Sequence, residues 1–228
     1  MESFFLKLSI MLAPGLMAIT CHEVSHGYMA NRLGDGTARS LGRLTLNPLK
    51  HLDILGTLMV FVVGIGWAKP VPVNFSNLRN PPRDMVWVAA AGPITNFTLA
   101  CLSALALRGG VILAEVMNNS PLVASVLVPI LLMLAFSVYI NLLLAIFNLI
   151  PVPPLDGGRV MVGLLPPRPA QFLARVEPYG MILIVVLVFF TNVFSTILRP
   201  ALSVGIDILA GPKTGWVFEQ LMTKVMAR

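Results

Sequence analysis

Apolar residues in this chain come in long runs rather than as alternating faces. Four runs reach the roughly 20 residues that a helix needs to cross a bilayer: about 3–30, 85–107, 122–150 and 179–198. Two others, 54–68 and 201–210, are too short to span comfortably, and the first is rich in glycine (Gly56, Gly64, Gly66). We read 54–68 as a half-inserted or strongly tilted segment packed against the bundle. Irregular backbone at membrane depth must be shielded by protein or line a water cavity. The stretch Lys69-Pro70-Val71-Pro72-Val73-Asn74-Phe75 is too proline-rich for a helix and suits an extended edge strand or loop. The pattern therefore predicts an all-α polytopic membrane protein. Its bundle would hold about 5–6 transmembrane or half-inserted helices, with a short extended, β-like, membrane-associated segment.

Composition agrees. The chain has 228 residues, of which 57% are hydrophobic and 11% charged, whereas soluble domains carry about 25% charged residues. Its mean hydropathy is +0.85. Such a chain cannot cover a water-facing surface, so the lipid bilayer is its expected solvent. The net charge of +6 does not point to nucleic acid, because the basic residues sit in short loops between apolar runs. Arg32, Arg39, Arg43 and Lys50 form one group; Lys69, Arg79 and Arg83 a second; Arg159, Arg168 and Arg175 a third; Lys213, Lys224 and Arg228 a fourth. If all four face the cytoplasm, 13 of 16 basic residues lie inside, the N-terminus is outside and the C-terminus inside. Cys21 and Cys101 stand apart in apolar runs and suggest neither a disulfide framework nor a zinc ribbon.

The chemistry concentrates in His22-Glu23-Val24-Ser25-His26. On a helix, residues four apart share a face one turn apart, so both imidazoles can reach one metal ion. The neighbouring Glu23 can serve as general base toward water at that metal. Ionisable groups are costly inside an apolar run, and a metal supplies the partner they need; the bland alternative is a structural polar cluster. A catalytic zinc takes three protein ligands and keeps one position open. The third could come from Asp156, His51, Asp53, Asp84, Glu115 or Glu177. Asp156 is the best placed. It follows Pro151, Pro153 and Pro154, which cannot continue the preceding helix, and it precedes Gly157 and Gly158, which tolerate tight backbone. Its alternative reading is an Asp that caps the next helix.

The pentad, Gly92-Pro93-Ile94-Thr95-Asn96 and the Asn148-x-x-Pro151-x-x-x-Leu155-Asp156-Gly157 segment, in this order, resemble the site-2 protease family of intramembrane zinc metalloproteases, peptidase family M50. Arg43-Leu44-Thr45-Leu46-Asn47-Pro48-Leu49 with His51 and Asp53, and Ala68 to Val73, are similar to its compact prokaryotic subgroup, which has no added regulatory domain. The resemblance runs from about residue 10 to residue 165. It implies one Zn2+ per chain held by His22, His26 and Asp156, with Glu23 as general base. It also implies that Asn148 holds the substrate carbonyl or the oxyanion; a helix C-cap is the alternative for that residue. The substrate would be a transmembrane protein, unwound locally before hydrolysis, and residues Pro70, Val71, Pro72 and Val73 could pair with it by strand addition. Asn96 is read as an interhelical hydrogen bond close to the site or a substrate contact, and Asn141 as a hydrogen bond inside the bundle. His51 and Asp53 suit capping or gating near the entrance. Residues 1–212 would form one transmembrane metalloprotease domain in the cell (inner) membrane, with its site near the cytoplasmic face, and residues 213–228 a cytoplasmic amphipathic tail. The competing function is a catalytically silent relative that binds or transports zinc. A transporter needs neither a Glu beside the first His nor a proline-broken Asp loop. The residues leave the oligomeric state and the natural substrate open.

Overall fold

The computed structural model describes residues 2–63, 66–117, 120–121, 123–192 and 194–226. Of the positions used above, Gly64, Leu122 and Arg228 lie outside them, as does position 193 within the fourth run. Helices dominate, and the described residues form no strand, only an isolated antiparallel bridge between Leu52 and Ala68. Helix α1 covers Glu2–Arg32, α2 Thr37–Ser40, α3 Ile54–Val63, α4 Pro81–Val116 and α5 Val128–Asn148. After it come α6 (Asp156–Leu164), α7 (Pro167–Val176), α8 (Gly180–Phe190), α9 (Arg199–Ala210) and α10 (Gly215–Gln220). Three stretches, Phe5–Arg32, Pro81–Val116 and Ser125–Asn148, are long and apolar enough to cross a membrane.

These three match the first three apolar runs. The fourth is divided: α8 stops at Phe190, and helix resumes in the turn Phe194–Leu198 that leads into α9. Thr191 and Asn192 stand at the break, and short polar side chains compete there for backbone hydrogen bonds. The short run at 54–68 becomes α3. Asp53 starts it, its Oδ1 accepting from Gly56 N at 2.8 Å. The Leu52–Ala68 bridge then sets the two ends of the run side by side.

The chain divides into two compact units. The first comprises Met1–Ala18, Asn96–Leu144 and Ser195–Arg228. Its core joins Ile10 with Leu107, Val111, Leu131, Ala135 and Phe136. Along α4 the buried positions Asn96, Ala100, Ala104, Leu107, Val111 and Ala114 recur every three or four residues, one narrow stripe of mainly small side chains that lets helices approach closely. The opposite positions Phe97, Leu102, Leu105 and Ile112 are exposed, as expected where lipid is the neighbour. Polar groups within the stripe are satisfied. Asn96 Nδ2 donates to Ala18 O at 3.1 Å and to Asn141 Oδ1 at 2.8 Å, and Asn141 Nδ2 donates to Ser137 O at 2.9 Å. Arg108 closes the end of α9 by donating from Nε to Ala210 O and from Nη2 to Ile208 O, both at 2.9 Å.

The C-terminal stretch is packed rather than free. Val217, Leu221 and Val225 are buried in the core with Ile10 and Leu107, because their four-residue spacing gives one apolar face. Lys213 Nζ lies 3.5 Å from Glu115 Oε2. Glu115 is next to last in α4, whereas Arg83 lies in its first turn. The charge count sets the group of Lys213, Lys224 and Arg228 on the same side as the group of Arg79 and Arg83; Lys213 itself pairs with the last turn of α4.

The second unit comprises Ile19–Thr95 and Ala145–Phe194. Ala30, Leu78 and Val88 pack together there. Asp35, buried just after α1, is a hub: it accepts from Thr37 N, Thr37 Oγ1, Asn74 N and Asn77 Nδ2. Arg159 donates from Nη2 to Glu177 Oε1 at 2.7 Å and lies over the Phe75 ring.

Two measurements follow. Asn141→Ala removes one acceptor of a buried amide and should lower stability in detergent by about 1 kcal/mol, the size of such bonds between membrane helices; denaturant-induced unfolding would read it. Burial pushes the Asp35 carboxyl up, but its four donors outweigh that and hold it below its ordinary value. A lowered folded pKa stabilises above the unfolded value of about 3.9, and that stabilisation is lost as pH falls through the folded one. The stability gap between parent and Asp35→Asn should therefore be widest near neutral pH and narrow below about pH 4.

Candidate metal centre

Three predicted ligands converge in the second unit. His22 and His26 stand one turn apart on α1, their rings 4.7 Å apart and nearly perpendicular. Asp156 is the first residue of α6, where a carboxylate also suits the helix dipole. Its Oδ2 lies 3.1 Å from His22 Nε2 and 3.4 Å from His26 Nε2. The ligand atoms of all three residues fall within 4.8 Å of one another, and His22 and Asp156 are buried. Leu155 holds the cap position of α6, so Asp156 is its first helical residue, and its carboxylate faces the imidazoles.

The tautomer shows what the cluster needs. His26 Nδ1 lies 2.7 Å from Val88 O. A carbonyl only accepts, so Nδ1 carries the hydrogen and the neutral ring presents a lone pair at Nε2. That lone pair faces a carboxylate oxygen which is itself buried with no hydrogen-bond partner. Two acceptors at this range repel unless something positive, a proton on Nε2 or a metal ion, lies between them. A carbonyl behind the distal nitrogen is the usual support of a metal-binding histidine. Zinc bonds of about 2.0–2.2 Å in a tetrahedron put ligand atoms roughly 3.3–3.6 Å apart, close to the 3.1 and 3.4 Å found here. The donor set thus fits zinc.

Gly92 makes room for the centre. A Cβ there would sit 2.5 Å from His22 Cε1 and 2.5 Å from His26 Nε2, so α4 approaches the pair only where it has no side chain. Glu23 lies outside the three-ligand group, and its Oε2 accepts from Val71 N at 2.9 Å. Asn148 is the last residue of α5, at the entrance to the proline-rich loop. Asn96 is engaged in the first unit with Ala18 and Asn141. Pro70 is exposed, Pro72 and Val73 half-buried, and Val71 buried.

The other third-ligand candidates are held elsewhere. Asp53 caps α3, Asp84 Oδ2 accepts from Asn80 N, Glu115 meets Lys213 and Glu177 meets Arg159. His51 is buried, with Nε2 2.9 Å from Thr45 O. Sequence reasoning passed over the Val88 carbonyl and the Val71 amide, since backbone atoms leave no mark in residue type. Gly92 was legible only as part of Gly-Pro.

A model of peptidase family M50 matches residues 108–191, the part that carries Asn148 and Asp156. YwhC of Bacillus subtilis (strain 168), described as a candidate zinc metalloprotease, is 40% identical over 194 residues, covering 84% of this chain and 85% of that protein. The chain belongs to peptidase family M50. With that family it joins the membrane zinc metalloproteases. Two further relatives of the same description are Rip2 of Mycolicibacterium smegmatis (strain ATCC 700084 / mc(2)155) and MJ0611 of Methanocaldococcus jannaschii. Rip2 is 30% identical across 78% of this chain and 66% of its own length. MJ0611 is 30% identical across 61% of this chain and 62% of its own length. No solved structure matches.

Gly92→Val should force the two imidazoles apart. Zinc affinity is expected to fall by roughly tenfold or more, the range seen when the support of a metal ligand is lost. Zinc per chain after dialysis against a buffered chelator series would measure it.

Proposed function

We propose that this M50 peptidase hydrolyses peptide bonds of membrane-protein segments at a zinc held by His22, His26 and Asp156, with Glu23 as general base. The observation that carries the reading is the buried Asp156 oxygen set against the two Nε2 atoms, 3.1 and 3.4 Å away. When bound there, zinc supplies Lewis-acid polarisation of a carbonyl and of water. The protein's own groups do the rest. Val88 O fixes the His26 tautomer by accepting from Nδ1. Glu23 holds one carboxylate oxygen on the Val71 amide and uses the other, Oε1, to take a proton from water. The water oxygen bonds to the substrate carbonyl carbon, the C–N bond breaks, and Glu23 returns the proton to the departing amine. Asn148 donates its amide to the carbonyl oxygen as charge develops there.

The chain would act as a multi-pass protein of the cell membrane. Within it, the segment 54–68 enters and leaves on one side, a reading that the Leu52–Ala68 bridge supports. The basic loops around Arg43, Lys69 and Arg79 put the pentad end of α1 toward the cytoplasm. A helical substrate hides its carbonyls, so local unwinding precedes cleavage. The exposed Pro70 and half-buried Pro72 offer carbonyl acceptors to an extended substrate, in the manner of strand addition.

The zinc-binding or transport alternative separates cleanly. Purified protein should cleave a helical test substrate in detergent or liposomes, and Glu23→Gln should abolish cleavage while zinc per chain stays at the parent level. Cleavage by Glu23→Gln would remove Glu23 from the base role. Zinc movement across liposomes without cleavage by the parent would favour the transporter.

A further inference from the structure

Residues 69–74 are fastened at several points around one half-buried contact with Glu23. At one end Lys69 N donates to His51 O at 2.9 Å, and Arg43 Nη2 donates to Lys69 O at 2.9 Å. At the other end Asn74 N donates to Asp35 Oδ2 at 2.7 Å. In between, Val71 N donates to Glu23 Oε2 at 2.9 Å. The Val71 side chain rests where α1 has no side chain: a Cβ on Gly27 would meet Val71 Cγ1 at 2.7 Å. Glu23 and Gly27 are four residues apart and so share a helix face. One residue of the segment therefore engages α1 twice, through its amide and through its methyl groups.

The flanking residues make the contact specific. Pro70 and Pro72 have fixed φ and no N–H, so Val71 carries the only amide hydrogen among residues 70–72. The anchor at Asp35 is a buried carboxylate with four donors, more than a surface turn needs. This amide already has a partner, so strand addition of a substrate cannot use it as a donor.

We infer that residues 69–74 are a strap whose Val71 amide positions the Glu23 carboxylate for catalysis. Val71 is thus a positioning residue and not a substrate-binding donor. The hydrogen bond reaches an ionised acceptor, which makes it stronger than a neutral one, and it leaves Oε1 as the atom that handles the proton. The inference rests on the proteolytic reading for its kinetic consequence, but the contact itself can be tested without activity.

The test has two arms on the full-length protein. In the first, amide hydrogen exchange at Val71 is followed by mass spectrometry in zinc-free protein. Exchange should be slow in the parent and at least tenfold faster in Glu23→Ala, with the Lys69 and Asn74 amides unchanged. Equal exchange at Val71 in the two proteins overturns the contact, whatever the enzyme does. In the second, Val71 is replaced by its α-hydroxy acid, which keeps the side chain, deletes the N–H and leaves the Pro70 carbonyl as a weaker ester acceptor. The turnover number should fall roughly tenfold or more, as loss of a bond to a charged group implies, with KM and zinc per chain unchanged. A rise in KM with unaltered kcat would make the amide a substrate donor and overturn the assignment, as would no change in either. A parent that binds zinc and shows the exchange difference but cleaves nothing would defeat the proteolytic reading and leave the contact standing.

Discussion

The arrangement depends on one electrostatic demand: a buried carboxylate oxygen faces the Nε2 atoms of His22 and His26 at 3.1 and 3.4 Å, and something positive, a proton or a metal ion, has to lie between them. Val88 O makes that demand strict by claiming the His26 Nδ1 hydrogen. Several local features then follow from a single requirement. Gly92 is bare because the imidazoles fill the space above it. Asp156 opens α6 without capping it. The loop after α5 is proline-rich because a helix continuing past Asn148 could not turn its carboxylate back to α1.

Away from the centre, the polar groups obey the same economy. In an apolar surrounding an unmet donor or acceptor is expensive. Asn96 and Asn141 answer each other, Arg108 spends its guanidinium on the carbonyls at the end of α9, and Asp35 gathers four donors. None of these needs chemistry to explain it, and each pins a segment that would otherwise be free to move. The strap at 69–74 is held through two such knots, at His51 and at Asp35.

The three long helices were legible because length and hydropathy alone define a span. The pentad was legible because spacing of four is a helical face, and Asp156 because prolines and glycines bracket it. The break that begins at Thr191 and Asn192 was not, since two polar residues barely lower the mean hydropathy of a run. The packing of Val217, Leu221 and Val225 was also missed: their spacing marks an amphipathic helix, but sequence does not say whether protein or lipid headgroups cover the apolar face. The Lys213–Glu115 pair could not be foreseen from a charge count, which sums residues without knowing which end of a helix they meet. The contact between Val71 N and Glu23 was invisible for a different reason, because one of its partners belongs to the backbone.

The close approach at Gly92 has a consequence for how such a protein can change. The space that a side chain at 92 would take is the space the two histidines occupy. The surface on which α4 packs and the wall of the ligand pocket are therefore one surface. A side chain added at that point intrudes on the two imidazoles, and any change that moves the imidazoles away from α4 loosens the contact. At that one position, packing of the helix and the placement of the two imidazoles cannot be adjusted separately.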